Sequence, residues 1–204
     1  MEVDELIRRL RQKYRTGTHR REPFRVLIGT ILSQRTNDDV TYPAAERLFS
    51  RYRSAEELAA AEPREVARLI KPVGFYNVKA ERIVEVAQII VNQYQGHVPD
   101  TLDELLKLPS VGRKTANCVL VFGFGKPAIP VDTHVHRISN RLGLVQTATP
   151  LETEMALKEV LDRKYWIEFN ELLVHHGRAL CRPLRPKCGE CFLNDLCPKV
   201  NVTS

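Results

Sequence analysis

The 204-residue sequence contains no run approaching eighteen consecutive apolar residues, which excludes a helix able to span a membrane. It contains no convincing strand either. Its β-branched residues fall mostly within helical patterns, and no two alternating runs are joined by a hairpin turn, so no sheet is expected. The opening stretch MEVDELIRRLRQKYR lacks the apolar segment of a secretory signal and reads as a charged amphipathic helix, which predicts an intracellular protein. Hydrophobic residues make up 43%, the ordinary share for a globular chain, so disorder is not expected. Cysteine is scarce, with five in all, but four of the five lie between positions 181 and 197.

What is present is helical pattern. Val3, Leu6, Ile7, Leu10 and Tyr14 recur on one side of a first helix over 3–15, and residues 16–22 form a polar link. PFRVLIGTILSQ, opened by Pro23, is apolar on nearly every side and predicts a central buried helix. Ser54 with Glu57, Thr101 with Glu104, and Thr149-Pro150 with Glu152 mark helix starts by the capping-box pattern. A Gly turn at residues 72–75 leads into a long helix with Ile83, Val86, Ala87, Ile90 and Val91 inward, and WIEFNELLVHHGRALC is the last long helix. The fold class is therefore all-α, with about ten helices.

Net charge is +6 with a pI near 9.2, which favours a polyanionic partner. The charge is uneven. Residues 1–25 carry eight Lys/Arg against four Asp/Glu, residues 178–204 carry five against two, and the middle nets −1. If the two ends meet, one lobe carries the positive field; solvated helix faces are the equal alternative.

Cys181, Cys188, Cys191 and Cys197 stand in CRPLRPKCGECFLNDLC with spacing C-x6-C-x2-C-x5-C. In an intracellular chain this points to metal or cluster ligation rather than disulfides. Spacing alone leaves the metal open. Zinc takes four thiolates, usually as two close pairs, and a compact loop suits a [4Fe-4S] cubane at least as well. Cys118 sits in an apolar helical run and is expected to be an inert core residue.

The chemistry is expected in LPSVGRKTANCVLVFGFGKPAIPVDT, residues 108–133. Gly112 offers a backbone able to turn sharply or approach a ligand, and Arg113 opens a helix buried nearly all round. The free N–H groups at such a helix start suit a phosphate. Lys114 lies in the first turn. An ordinary lysine is neutral in only about one molecule in a thousand near pH 7, so a nucleophilic one needs surroundings that disfavour the ammonium; burial and a helix N-terminus both do so. Eighteen residues further on, Asp132 in PVDTHV is flanked by apolar residues and precedes another helix. Taken singly, Lys114 reads as a solvated side chain and Asp132 as an N-cap.

Together, LPSVGRKTA, the Gly/Pro loop and VDTHVHRISNRLGL resemble the helix-hairpin-helix and Gly/Pro-Asp signature of the endonuclease III superfamily of DNA glycosylases, and the resemblance runs from Pro23-Phe24 to Cys197. It implies two helical lobes with a DNA-binding cleft between them: a six-helix domain over 22–128, and a second domain of 1–21 plus 129–204 ending in a [4Fe-4S] loop held by the four clustered cysteines. It further implies a monomeric, nucleoid-associated cytoplasmic enzyme. The expected activity is that of a bifunctional DNA glycosylase and abasic-site lyase acting on double-stranded DNA with a damaged base, oxidised pyrimidines foremost. Lys114 is then the nucleophile and Asp132 the essential acid. The alternatives are a mismatch or adenine glycosylase of the same fold, whose members generally lack the lysine, and a non-catalytic helix-hairpin-helix DNA-binding protein.

The same resemblance makes Phe75 an apolar wedge into the duplex and sets Ser110, Gly112 and Arg113 at the hairpin. It also marks two departures. Ser110 stands where the hairpin usually has glycine, and the turn is expected to survive provided that this residue avoids positive φ. Arg35 stands where relatives have a glutamine that fills the gap left by a flipped base, although Gln34, one position away, is the competing candidate. His134 is assigned to orienting Asp132 or contacting phosphate. Arg182, Arg185 and Lys187 lie in the cysteine loop, where phosphate contact competes with simple solvation. His175 and His176, adjacent on one helix, point in different directions and are read as capping or core residues.

Overall fold

A computed structural model describes residues 2–17 and 20–202. Positions 18 and 19, within the polar link expected over 16–22, lie outside the described residues. Eleven α-helices make up the described chain, with no β-strand among those residues. The chain divides into two compact units, one formed by the described residues of Met1–His19 and Lys126–Ser204, the other by Arg20–Gly125.

In the second of these units, α2 (Pro23–Ser33) is the central helix. Glu22 accepts the amides of Phe24 and Arg25 at its start, and Phe24, Val26, Leu27, Ile28, Ile31 and Leu32 are buried. It packs against α3 (Asp38–Arg51), α6 (Tyr76–Tyr94) and α8 (Arg113–Cys118). The inward face of α6 buries Ile83, Val86, Ala87 and Ile90 against the short α4 (Ala55–Ala59) and α5 (Pro63–Ile70). Ser54 caps α4 through the Glu57 amide, and Thr101 caps α7 (Leu102–Leu105) through the Glu104 amide. Each of these short helices is held by its cap and by burial rather than by length, since isolated helices of this size are marginal in water.

The helix opened by Arg113 is not α-helical throughout. After Cys118 it widens into a π-helical segment over Val119–Gly123. That segment lies on α2, where Gly123 comes so close to Pro23 that an added Cβ would sit 3.1 Å from the Pro23 Cα. A side chain at position 123 would have to push one element off the other.

The other unit has its own core. Leu6, Ile7 and Leu10 of α1 (Val3–Lys13) pack with Val135 and Ile138 of α9 (Thr133–Arg141), Leu157 of α10 (Pro150–Val160), and Phe169, Leu172 and Leu173 of α11 (Trp166–Ala179). Thr149 and Glu152 form the reciprocal capping box that starts α10. The arginines of α1 are largely spent on structure. Arg8 pairs with Glu5 at 2.6 Å, Arg9 with Glu5 and Asp195 at 2.7 Å, and Arg11 with Glu168. Neither reading of the basic N-terminal helix included this: these three charges are ion-paired within the unit.

Candidate active site and cluster loop

The hairpin between α7 and α8 differs from its sequence expectation in one respect. Gly112 has φ −92° and ψ 177°, an extended conformation open to any residue. The left-handed position is Ser110, with φ 62°. The condition placed on Ser110 is thus not met, and the sharp turn falls two residues earlier than the glycine. Gly112 keeps a different freedom, because an added Cβ there would meet no atom within 4 Å. Lys114 follows in the first turn of α8, half-buried, and Arg113 beside it is half-buried as well. Thr115, Ala116, Asn117 and Cys118 are buried behind them, which fixes the helix and so the direction in which Lys114 leaves it.

Ser110 is one of four described non-glycine residues in this unit held in the left-handed region. Gln95 (φ 55°) ends α6, and Arg35 (φ 53°) and Phe75 (φ 59°) are the other two. Such residues cost free energy and persist where the surroundings impose them. Here the surroundings are visible. Gln34 caps the end of α2, and its carboxamide Nε2 donates to the Ser110 carbonyl at 2.9 Å and lies 3.4 Å from the Thr115 hydroxyl. The Gln34 side chain is thereby turned inward onto the hairpin. Arg35, the next residue, is exposed and has no hydrogen bond or ion pair among the described residues. Phe75 is 64% exposed, although it is a large apolar side chain.

In the other unit, Asp132 is the N-cap of α9. Its Oδ1 accepts the amides of His134 and Val135, both at 2.8 Å, and the carboxylate is half-buried. The capping role and a chemical one are compatible: two amides fix the carboxylate through one oxygen and leave its other edge for a reactant. Along the same helix His134 Nδ1 lies 3.2 Å from Arg137 Nη2, and Arg137 donates to the Cys181 carbonyl at 2.9 Å. Arg141, one turn on, donates to the carbonyls of Arg182 (2.6 Å) and Pro183 (2.9 Å). Helix α9 therefore carries Asp132 at its start and grips the cysteine loop with its last two turns. The sequence reading missed both arginines; their only signal was i, i+4 spacing from Thr133 to Arg137 to Arg141 on the helix that Asp132 opens.

The four cysteines are free thiols, all partly buried, and they line one cavity with Ile138, Leu142, Leu180 and Leu193. Burial raises the Cys191 and Cys197 thiols, and the neighbouring cysteines raise them further. Among the described residues, no three His, Cys, Asp or Glu side chains are gathered tightly enough to hold a single metal ion. Four thiols lining one cavity fit a multi-iron cluster, which takes four cysteine ligands. His176 belongs to the wall. It is 2% exposed, pushed down to about 4 by burial, with Tyr14 Oη 3.2 Å from its Nδ1 and Cys191 Sγ 3.8 Å from its Nε2. Cys118 is buried and belongs to the other unit.

Comparison with known proteins gives the same picture from a second direction. Residues 28–163 match the HhH-GPD superfamily base excision DNA repair protein family, and residues 181–197 match the iron-sulfur binding domain of endonuclease III. Endonuclease III of Thermotoga maritima is 54% identical over 96% of this chain and 92% of its own length. Two solved structures are similar throughout. A trapped endonuclease III–DNA covalent intermediate, an estranged-adenine complex, has a TM-score of 0.86 at 35% identity, covering 98% of this chain and 97% of the other. A non-covalent endonuclease III–DNA complex has a TM-score of 0.87 at 34% identity, with the same coverage.

Proposed function

The chain belongs to the HhH-GPD superfamily of base excision DNA repair proteins, and from that premise we propose how its residues divide the work. The protein is a DNA glycosylase and abasic-site lyase of the endonuclease III type, its substrate is DNA, and it carries a [4Fe-4S] cluster. Because it works on DNA, we propose that it acts at the nucleoid. No described helix is long and apolar enough to cross a membrane.

In the proposed reaction the damaged nucleotide, an oxidised pyrimidine, leaves the duplex, and Lys114 Nζ attacks C1′. The glycosidic C1′–N bond breaks with its electron pair going to the base, which takes up a proton. Loss of an amine proton and opening of the sugar ring give a protonated Schiff base. Removal of a C2′ proton then expels the 3′ phosphate, and water releases Lys114. Asp132 stabilises positive charge developing on the sugar and carries a proton between steps, oriented by the two α9 amides that its Oδ1 accepts. Ser110, Gly112 and Arg113 present the hairpin to a phosphate, with open space at Gly112 for the approach. His134, pinned between Arg137 and the start of α9, supports Asp132.

Between the two candidates for the space vacated by the base, the geometry supports Arg35. Gln34 is engaged with Ser110 and Thr115, while Arg35 is exposed beside it. A guanidinium there stacks between bases and offers donors best matched by guanine. Phe75 serves as the wedge. Cys181, Cys188, Cys191 and Cys197 would hold the cluster, which when bound cross-links the loop and so presents Arg182, Arg185 and Lys187 toward phosphate.

The observation that carries the lyase reading is Lys114, a half-buried amine in the first turn of the helix that follows the hairpin. A mismatch or adenine glycosylase, or a silent binding module, has no use for it. Borohydride reduction of a reaction on abasic DNA traps a Schiff base as a stable protein–DNA adduct. The wild type should trap; Lys114→Gln should not, while still binding abasic DNA. Undiminished trapping would move the chemistry to another amine.

A further inference from the structure

Lysine is rarely buried without a task, and Lys79 is the one buried lysine among the described residues, 7% exposed on the first turns of α6. Its Nζ makes three contacts with donor geometry: the Leu32 carbonyl at 2.7 Å, the Gln34 carbonyl at 2.5 Å and the Thr36 hydroxyl at 3.2 Å. An ammonium has three protons, and all three are used. Every acceptor belongs to the last turn of α2 or to the loop after it, where Arg35 sits between Gln34 and Thr36.

The same hydroxyl reaches the other side. Thr36 Oγ1 accepts the Gly74 amide at 3.2 Å, and an added Cβ on Gly74 would lie 3.3 Å from both the Arg35 carbonyl oxygen and Thr36 Oγ1. Gly74 immediately precedes Phe75. The Arg35 loop and the Phe75 turn are thus pressed together, joined through one threonine hydroxyl and anchored by one lysine, while both exposed residues are held at left-handed φ. Burying an ammonium is costly, and burial alone brings the Lys79 amine down to about 8. That cost is offset here by the Leu32 and Gln34 carbonyls at the end of α2, the second of which also accepts the Thr36 hydroxyl at 3.3 Å.

We propose that Lys79 is a positioning residue which, through Thr36, locks the Arg35 loop and the Phe75 turn into a single rigid unit for entering the duplex. The inference rests on the reading of Arg35 and Phe75 given above. Lys79 touches no reacting atom; it sets where two intruding side chains stand, and a displacement of about 1 Å in such a constellation can cost on the order of 100-fold in rate.

The test is single-turnover base release from a duplex bearing 5-hydroxycytosine opposite guanine, with borohydride trapping on a single-stranded abasic oligonucleotide as the reference. Lys79→Met keeps the chain length and removes the donors. It should slow base release by about tenfold or more while trapping on the single strand stays at the wild-type level, and Lys79→Arg should recover part of the loss. The deciding step is the same substitution made in an Arg35→Ala, Phe75→Ala background. If Lys79 acts through those two residues, its loss should cost nothing further there. An equal loss in both backgrounds overturns the proposal, as does a Lys79→Met enzyme with wild-type base release. Should Lys79→Met fail to fold by circular dichroism, Thr36→Val, which removes the shared hydroxyl, takes its place in the same cycle with the same two outcomes. If instead Arg35→Ala, Phe75→Ala releases base as fast as wild type, the plug-and-wedge reading has failed, which is a different result.

Discussion

Ser110→Gly should stabilise this protein, and the size of the gain can be worked from the hairpin. Ser110 has φ 62°, and a side chain in the left-handed region costs about 1–2 kcal/mol through crowding of its Cβ against the following carbonyl. Glycine removes that cost but loses about 0.5–1 kcal/mol through the greater freedom of the unfolded chain. Nothing else changes. The Ser110 side chain is exposed and its hydroxyl has no partner among the described residues; the contact that matters, from Gln34 Nε2, is to the backbone carbonyl. The net is centred on about 0.75 kcal/mol in favour of glycine, or a rise in Tm of about 2–3 °C for a chain of this size. Calorimetry on cluster-loaded protein should show it. Ser110→Ala is the control, because alanine pays the same backbone cost as serine and should give no gain. A Tm that falls for Ser110→Gly, or rises equally for Ser110→Ala, would refute the argument from backbone strain.

Other outcomes follow from the same geometry. Asp132→Asn should lower turnover far more than lesion affinity, since an amide can still cap α9 but carries no charge to stabilise the sugar; equal losses in kcat and affinity would make Asp132 a structural cap only. Arg35→Ala, compared with wild type on one lesion opposite each of the four bases at fixed salt, should lose most opposite guanine, whereas a uniform loss would make Arg35 a phosphate clamp. Purified protein should be brown and hold about four irons per chain, and Cys188→Ser should lower that content; stoichiometric zinc without iron after anaerobic preparation would contradict the cluster. Because the folded Lys79 amine sits at about 8 and the unfolded one at its ordinary value near 10.5, the unfolded state binds more protons between those limits. Stability should therefore rise with pH across that window, and Lys79→Met, followed by chemical denaturation at a series of pH values, should lack that contribution. A slope unchanged by the substitution would mean that burial does not depress this amine.

Much of the fold was legible because the elements announce themselves locally. The caps at Ser54, Thr101 and Thr149 act where their spacing places them, and the apolar runs of α2 and α6 are buried as their periodicity implies. The π-helical widening after Cys118 was not legible, since VLVFG has the apolar character of any buried helix and only the approach of Gly123 to Pro23 distinguishes it. Nor was the position of the turn. A glycine in PSVGR invites the inference that it carries the positive φ, yet the chain puts that φ on serine and uses the glycine as open space. Sequence supplies permission for a conformation, not the location at which tertiary packing imposes it.

The choice between Gln34 and Arg35 shows the same limit at the site. As residue types both are capable plugs, and an alignment shifted by one position exchanges them. The distinction is made by partners far along the chain: the Ser110 carbonyl and Thr115 take the Gln34 side chain, while Lys79 and Gly74 hold the backbone on either side of Arg35. Each of those contacts joins segments more than thirty residues apart, so no local pattern encodes them. Lys79 is the sharper case. In YNVKAERI it reads as one more charge on an amphipathic helix, and an ordinary solvated lysine would be the better guess from composition. Only the end of α2, arriving with the Leu32 and Gln34 carbonyls as acceptors, turns that charge inward. The residues proposed for the chemistry lie in one stretch, 108–133, that a sequence pattern can mark, whereas those proposed to position Arg35 and Phe75 depend on which distant segments meet.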